Sequence, residues 1–393
     1  LERSISSRFY FDYNATSPLS LKVIDFFRSG EFLFGNPSSL HQTGKKSKKF
    51  ISETSEFLYK TFGLTSSDYQ LLYHSGASEG INTFFKGIAF RLFKQKEQAT
   101  FFFSTVDHAC VVELKEALEL LGHKVQFFGV DRNGQFDIAH LIDQIKQEEK
   151  ENRLCYLNLT YINNESGVVW PLTLSEQIKA ETKAVIHVDA VQLVGKIENW
   201  KTLSPLIDAY TFSGHKFGAM KGVGFTFLKK TFLFTPLIVG GSQQSGLRAG
   251  TENAFGIYSL KLALQEIIEK FDAAELSAAK NLIEEVVMKV VGDKGEIVAR
   301  NAPMRNLNTI FLILYGQKAE LLSARFDLLG IDLSTGSACS SGIIKENRIL
   351  MSMMYSFDDS RSSLRFSFSP LMNQAQAALY AQKIISILEK MIH

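Results

Sequence analysis

Thr211-Phe212-Ser213-Gly214-His215-Lys216 closes an apolar, β-prone run over 206–212, and glycines follow at 218, 222 and 224. A strand that ends in Ser-Gly-His-Lys sets a lysine just past a buried sheet. Desolvation there disfavours the ammonium form and frees the amine as a nucleophile. Such an amine can hold an aldehyde as a Schiff base, and Ser213 and His215 beside Lys216 are potential donors to a phosphate. A surface lysine in a polar turn would read the same over four residues, so the rest of the chain has to decide.

Upstream of this stretch, apolar strands alternate with helical patterns. Strands are expected at 69–73, 101–103, 125–130, 154–159 and 184–188, with a helix through Ile81, Phe84, Phe85 and Ile88 and helices near 109–121, 137–149 and 173–182 between them. Earlier, 9–13 reads as a strand, 19–29 as a helix, and Thr43 as the cap of a helix running to about 62. This β–α alternation predicts an α/β fold, a mostly parallel sheet sandwiched by helices. Ligands in such sheets sit at the carboxyl ends of the strands, where the polar clusters of this chain also fall. After Gly240-Gly241 the character changes to helices near 253–270 and 273–291, strands at 307–314 and 364–368, a helix at 317–329, a Ser/Gly-rich loop over 334–342 and a terminal helix at 372–392. We read this as a smaller α+β C-terminal domain. The expected division is a large domain over 17–252 and a small one formed by 1–16 and 253–393, which carries the loop 334–347.

The 393 residues have a formal net charge of +2, which offers no argument for nucleic acid or an anionic membrane surface. No apolar run reaches the ~20 residues of a membrane span, and the N-terminus lacks a basic-then-apolar signal pattern, so a cytoplasmic location is expected. The chain begins at Leu1, so residues preceding it are an open matter. Three cysteines do not make a disulfide framework.

Asp189 ends the apolar run Ala184-Val185-Ile186-His187-Val188-Asp189. A carboxylate there must be paired, either as a helix cap or arginine partner or opposite a protonated ring nitrogen. Gln192 is a donor three residues on, or a solvated helix residue. Ser75-Gly76-Ala77-Ser78 precedes a helix, where free N–H groups and a hydroxyl make a phosphate site or a plain cap. His108 falls between strand and helix and can stack on a ring, move protons or simply satisfy a loop. Asn164 follows a strand end as a carboxylate or ring-oxygen ligand, or as a turn residue. Cys110 and Cys155 lie among apolar residues and read as core. Cys339, in Gly336-Ser337-Ala338-Cys339-Ser340-Ser341-Gly342, has small polar neighbours that predict an exposed, reactive thiol, or an incidental one. Arg365, flanked by apolar residues, needs an anion: a substrate carboxylate or a structural ion pair.

Taken in order, these motifs resemble a cysteine desulfurase of the NifS/IscS type, in the class V aminotransferase family. The resemblance runs from Phe11-Asp12-Tyr13-Asn14-Ala15-Thr16 to Arg365-Phe366-Ser367, through Ser75-Gly76-Ala77-Ser78-Glu79, Asn163-Asn164-Glu165-Ser166-Gly167, His187-Val188-Asp189-Ala190 with Gln192, Ser213-Gly214-His215-Lys216 and Gly336-Ser337-Ala338-Cys339. The Ser/Gly setting of the cysteine marks the family's first group, with the longer loop.

The resemblance implies fold type I of the pyridoxal 5'-phosphate (PLP) enzymes. It places PLP on Lys216, Asp189 at the ring nitrogen, His108 on the ring, and Asn164 and Gln192 at the phenolic oxygen. Ala77, Ser78, Ser213 and His215 fall in the phosphate region. Thr251 matches a residue that reaches the partner subunit's phosphate, which implies a homodimer. Arg365, with Asn164, would take the substrate carboxylate. L-cysteine would then release Lys216, whose amine removes the Cα proton. Cys339 would receive the sulfur as a persulfide for an acceptor protein of unknown identity, in iron–sulfur cluster assembly or thio-modification. A selenocysteine lyase or an aminotransferase of the same fold is the neighbouring expectation, and a non-catalytic binding partner the more distant one. Departures from the family pattern fall at Ala219-Met220, at 242–245, where both charges of the family motif are missing, and at Glu346-Asn347.

Overall fold

The computed structural model describes residues 8–30, 33–336 and 346–392. Strands are numbered in chain order: β1 (Phe9–Tyr10), β2 (Tyr69–His74), β3 (Ala99–Ser104), β4 (Lys124–Phe128), β5 (Leu154–Thr160), β6 (Val185–Asp189), β7 (Ala209–Ser213), β8 (Gly224–Lys229), β9 (Gly295–Ile297), β10 (Thr309–Leu314), β11 (Ile331–Asp332), β12 (Ser334–Thr335) and β13 (Ser363–Ser367).

A seven-stranded sheet in the order β2-β8-β7-β6-β5-β3-β4 forms the larger layer. The pairs β3–β4, β3–β5, β5–β6 and β6–β7 are parallel, as the alternation requires, while β8 runs antiparallel to both of its neighbours. Sequence reading gave no strand to 224–229. β8 follows β7 closely without a helical crossover, and without one the chain can return only as an antiparallel neighbour. β8 also contributes to the phenylalanine core: Phe212 and Phe225 stack at 4.7 Å, with Phe227 edge-on and Phe62 tilted beside them. A buried Phe stabilises by roughly 1.5–3 kcal/mol, so this cluster holds β7, and the lysine beyond it, firmly in the sheet.

The second layer is a four-stranded antiparallel sheet, β12-β13-β10-β9. Its core joins Phe11 to Leu276, Ile283 and Val287 of helix Ala273–Val291 and to Ile384 and Leu388 of helix Gln374–Ile392. Helix Ala254–Lys270, counted above with the second unit, sends Ile257, Leu260, Leu264 and Ile267 into the core of the large sheet instead. The Ser/Gly-rich loop expected from 334 begins as a strand, because Ser334 and Thr335 pair with Arg365 and Leu364. The cap of helix Gln42–Phe62 is His41, whose Nδ1 accepts from the Gly44 N–H at 3.2 Å; Thr43 is already inside the helix. Among the described residues no helix is long and apolar enough to cross a membrane.

The N-terminal segment connects the layers. β1 pairs in parallel with β11, and Asp12 bridges to Ser367. Residues 14–17 then run along the lysine turn, where the Ser17 N–H donates to the His215 carbonyl (2.8 Å) and Ser17 Oγ to the Lys216 carbonyl (2.9 Å).

Candidate active site

A cavity of about 580 Å³ opens at the carboxyl ends of the parallel strands. Its wall includes Ala77, Ser78, His108, Asn164, Asp189, Gln192, Ser213, His215 and Lys216, residues spread over more than a hundred positions of sequence. Each sits just past a strand or at a helix start, because that is where the backbone leaves the sheet.

Lys216 follows β7 in a short 3-10 turn, Gly214–Lys216. Its Nζ donates to the carbonyls of Asn14 and Ala15, both at 2.8 Å. Burial, helped by nearby Arg365 and opposed by Asp12 and Asp189, lowers its pKa to about 8. A sizeable fraction of the amine is therefore neutral near physiological pH, and most of it above pH 8, as a nucleophile requires. Asp189 ends β6; its Oδ1 accepts from the Val191 N–H at 3.0 Å, and burial raises its pKa. A buried carboxylate without an ion-pair partner among the described residues favours a cationic group placed against it.

Helix Ala77–Gln95 points its N-terminus into the cavity, and no side chain caps it at Gly76. Its first N–H groups and the Ser78 hydroxyl make an anion site. The helix seats this close to the sheet because Gly80 has no Cβ; one there would stand 2.4 Å from His74 Nε2. Glu79 braces the entry by accepting from the Ser75 N–H (2.8 Å) and from Arg248 Nε (2.9 Å). Across the cavity, burial lowers the pKa of His215 to about 4, and its Nδ1 lies 3.2 Å from Thr16 Oγ1. His215 is thus a neutral donor or acceptor at physiological pH.

His108 caps a short helix, Ala109–Val112, with Nδ1 accepting from the Cys110 N–H at 3.2 Å. Desolvation lowers its pKa against the pull of Asp189. The preceding Asp107 is buried, accepts from the Ser104 N–H (2.9 Å) and Thr160 Oγ1 (2.7 Å), and has its pKa pushed up to about 7 by burial. It locks the turn that presents His108.

Two expected residues lie off this wall. Arg365, on β13, is 7% exposed and already engaged: its guanidinium donates to Asp12 Oδ1 (2.6 Å), Ser334 Oγ (3.0 Å) and the Asn164 carbonyl (3.3 Å), while its Nε is buried without a partner among the described residues. Thr251 is exposed in a neighbouring hollow of about 160 Å³ that shares Ser75 and Gly222 with the cavity. Cys339 lies outside the described residues. The flanks of its segment meet at Asn347, whose Nδ2 donates to the Gly336 carbonyl and to Glu165 Oε2 (2.5 Å).

Sequence reasoning missed Asn14, which is buried. Its carbonyl accepts from Lys216 and from Gln192 Nε2 (3.0 Å), its Oδ1 from Lys196 Nζ (3.0 Å) and Asn308 Nδ2 (3.2 Å), and its Nδ2 donates to the Asn164 carbonyl (3.0 Å) and Thr309 Oγ1 (2.9 Å). Asn14 stood inside the quoted N-terminal motif but read as a turn. Cys110, read as core, lines the cavity with its Sγ 3.1 Å from His108 Nδ1; Cys155 is buried as expected. Lys221 and Thr16 also reach the wall.

The departures from the family pattern have structural roles of their own. Gln244, at φ +48°, clamps the edge strand β2 through Tyr73: its Oε1 accepts from the Tyr73 N–H (2.6 Å) and its Nε2 donates to the Tyr73 carbonyl (2.9 Å). The Met220 N–H donates to Ser259 Oγ (3.1 Å), and Asn347 caps helix Arg348–Ser352 through the Leu350 N–H (2.8 Å).

The profile of the family described as Aminotransferase class-V matches residues 9–379. A curated relative named cysteine desulfurase IscS, from Dictyoglomus turgidum, is 34% identical over 370 residues, covering 91% of this chain and 89% of that protein. One named cysteine desulfurase 2, from Trichormus variabilis, is 31% identical, covering 97% and 93%. The solved structure of a NifS-like protein from Rickettsia africae superposes with a TM-score of 0.83 at 26% identity, covering 97% of this chain and 99% of that one.

Proposed function

The chain belongs to the class-V aminotransferase family, and from that premise we propose that it is a PLP-dependent cysteine desulfurase, converting L-cysteine to L-alanine and passing the sulfur on. The observation that carries this reading is the opposition, across one cavity, of a half-buried lysine with a pKa near 8, a buried carboxylate and an uncapped helix N-terminus. An amine to hold an aldehyde, an anion for a ring cation and donors for a phosphate are the groups PLP needs, so the residues fit it.

Lys216 would hold the cofactor, Asp189 its ring nitrogen, Ser78, Ser213 and His215 its phosphate, and His108 its ring face, with Asn164 and Gln192 at its phenolic oxygen. When bound, the cofactor supplies an electron sink for the carbon next to the substrate's amine. Lys216, once released, falls back on the Asn14 and Ala15 carbonyls, neutral enough to take the Cα proton. Arg365 binds the substrate carboxylate after giving up Asp12. The Cys339 thiol receives the sulfur. L-cysteine plus that thiol gives L-alanine plus the Cys339 persulfide, a balance needing no further oxidant or reductant. The persulfide then serves an acceptor protein, for iron–sulfur clusters or thio-modification. Thr251, turned outward, fits a role at the phosphate of a second copy, hence a homodimer.

The test is the visible spectrum of the purified, PLP-loaded protein before and after L-cysteine, with alanine assayed in the same tube. We expect a band that shifts and alanine that forms, and a Cys339→Ser variant that keeps the shift and loses sulfide release to a reductant. A band without alanine points to a transaminase or an inactive relative. Undiminished sulfide release by Cys339→Ser refutes the thiol's role.

A further inference from the structure

Lys196 is 1% exposed and lies beneath the cavity, outside the wall that the proposed chemistry uses. Its Nζ contacts two neutral oxygens, Asn14 Oδ1 at 3.0 Å and Gln192 Oε1. Among the described residues it makes no ion pair. A buried, unpaired lysine costs stability that a methionine of similar shape would not, so its place in the fold asks for another reason.

That reason lies in the Gln192 amide. An amide end pointing at a backbone carbonyl has to be the NH₂ group, because a carbonyl only accepts. Gln192 Nε2 points at the Asn14 carbonyl at 3.0 Å, which leaves Oε1 for Lys196. The two neighbours agree on one orientation, and each disfavours the other. Nε2 has a second N–H, and Gln192 lines the cavity. The same Asn14 carbonyl also receives Lys216 Nζ, so Lys196, Gln192, Asn14 and Lys216 form one continuous chain of contacts. Burial sets the pKa of Lys196 well down, yet even the neutral amine keeps two N–H donors for its two acceptors.

We propose that Lys196 is a positioning residue, which holds the Gln192 amide in the orientation that offers an N–H, not a carbonyl, to the ligand in the cavity. This rests on the reading of Gln192 as a donor to the cofactor's phenolic oxygen. Without Lys196 only the Asn14 carbonyl still favours this orientation, so the turned state, in which the amide oxygen faces the ligand oxygen, gains population.

The experiment uses full-length protein and PLP. Wild type, Lys196→Met, Gln192→Leu and the double variant are compared for PLP dissociation constant, for the position and pH midpoint of the visible band, and for melting temperature without PLP. Lys196→Met is expected to weaken PLP about tenfold, the worth of one hydrogen bond, and to shift the band. Gln192→Leu should do the same, and the double variant should be no worse than Gln192→Leu, because both act through one amide. Losses that multiply in the double variant overturn the proposal, as does a Lys196→Met protein with an altered melting point but wild-type PLP binding and band. Should Lys196→Met not fold, Lys196→Leu takes its place in the same cycle, with the same two outcomes. A wild-type protein that binds no PLP overturns the cofactor reading itself, and this proposal with it. Normal wild-type binding beside an unaffected Lys196 variant overturns this proposal alone.

Discussion

At the large-sheet end the charged groups of the cavity wall hold only neutral backbone groups, whereas beyond that wall, on the small sheet, opposite charges already hold one another. Lys216, Asp189 and the start of helix Ala77–Gln95 turn donors and charge into the cavity. Arg365 instead spends its guanidinium on Asp12, Ser334 and the Asn164 carbonyl. The first end is built like a permanent seat and the second like a latch: what binds there has to displace an existing ion pair. Preorganisation suits a resident group, and an exchangeable pair suits a substrate that comes and goes.

The contrast can be tested from its stronger side to its weaker. Lys216→Ala should abolish the visible band and lower alanine formation by at least about 10²–10⁴-fold, the value of a positioned proton-transfer group. Retention of turnover would break the comparison at its first term. Arg365→Met removes the proposed carboxylate ligand and leaves Asp12 with the Ser334 hydroxyl but no ion pair. The KM for cysteine should rise about 10–100-fold, the worth of a charge-assisted hydrogen bond, with the band intact. A lost band would mean that the two ends are not separate.

The loading rate of cofactor-free protein with PLP should fall about tenfold for each pH unit below 8, because a lysine with a lowered pKa is a free amine only above it. A rate flat from pH 6 to 8 would remove the desolvated amine from the argument. Asp12→Asn weakens the latch, and the KM for cysteine should fall about three- to tenfold as Arg365 no longer has to let go of a charge. A rise instead would make Asp12 an aid to binding.

The same contrast governs what could be read from the chain. The permanent seat was legible because each of its residues lies next to a local signal: a strand end before Asp189, a Ser-Gly-Ala-Ser turn before a helix, Ser-Gly-His-Lys after an apolar run. The latch was not. Asp12 and Arg365 are 353 positions apart, and no periodicity links an N-terminal turn to a late strand. Asn14 escaped for the same reason, since its partners come from residues near 164, 192, 216 and 308. The antiparallel β8 escaped because alternation speaks for crossovers and says nothing about a strand that returns without one. Cys110 was misjudged because apolar neighbours in sequence do not reveal that a short helix turns one side to a cavity.

Gln244 has a consequence beyond the site. β2 ends the seven-stranded sheet, so among the described residues one side of its backbone has no neighbouring strand. The Tyr69 N–H donates to the Thr65 carbonyl and the Tyr69 carbonyl accepts from Tyr59 Oη, while Gln244 takes both backbone groups of Tyr73. A side-chain amide here imitates a strand one residue long. It removes one of the positions at which a foreign chain could add itself to the border, and so shortens the template that the border offers.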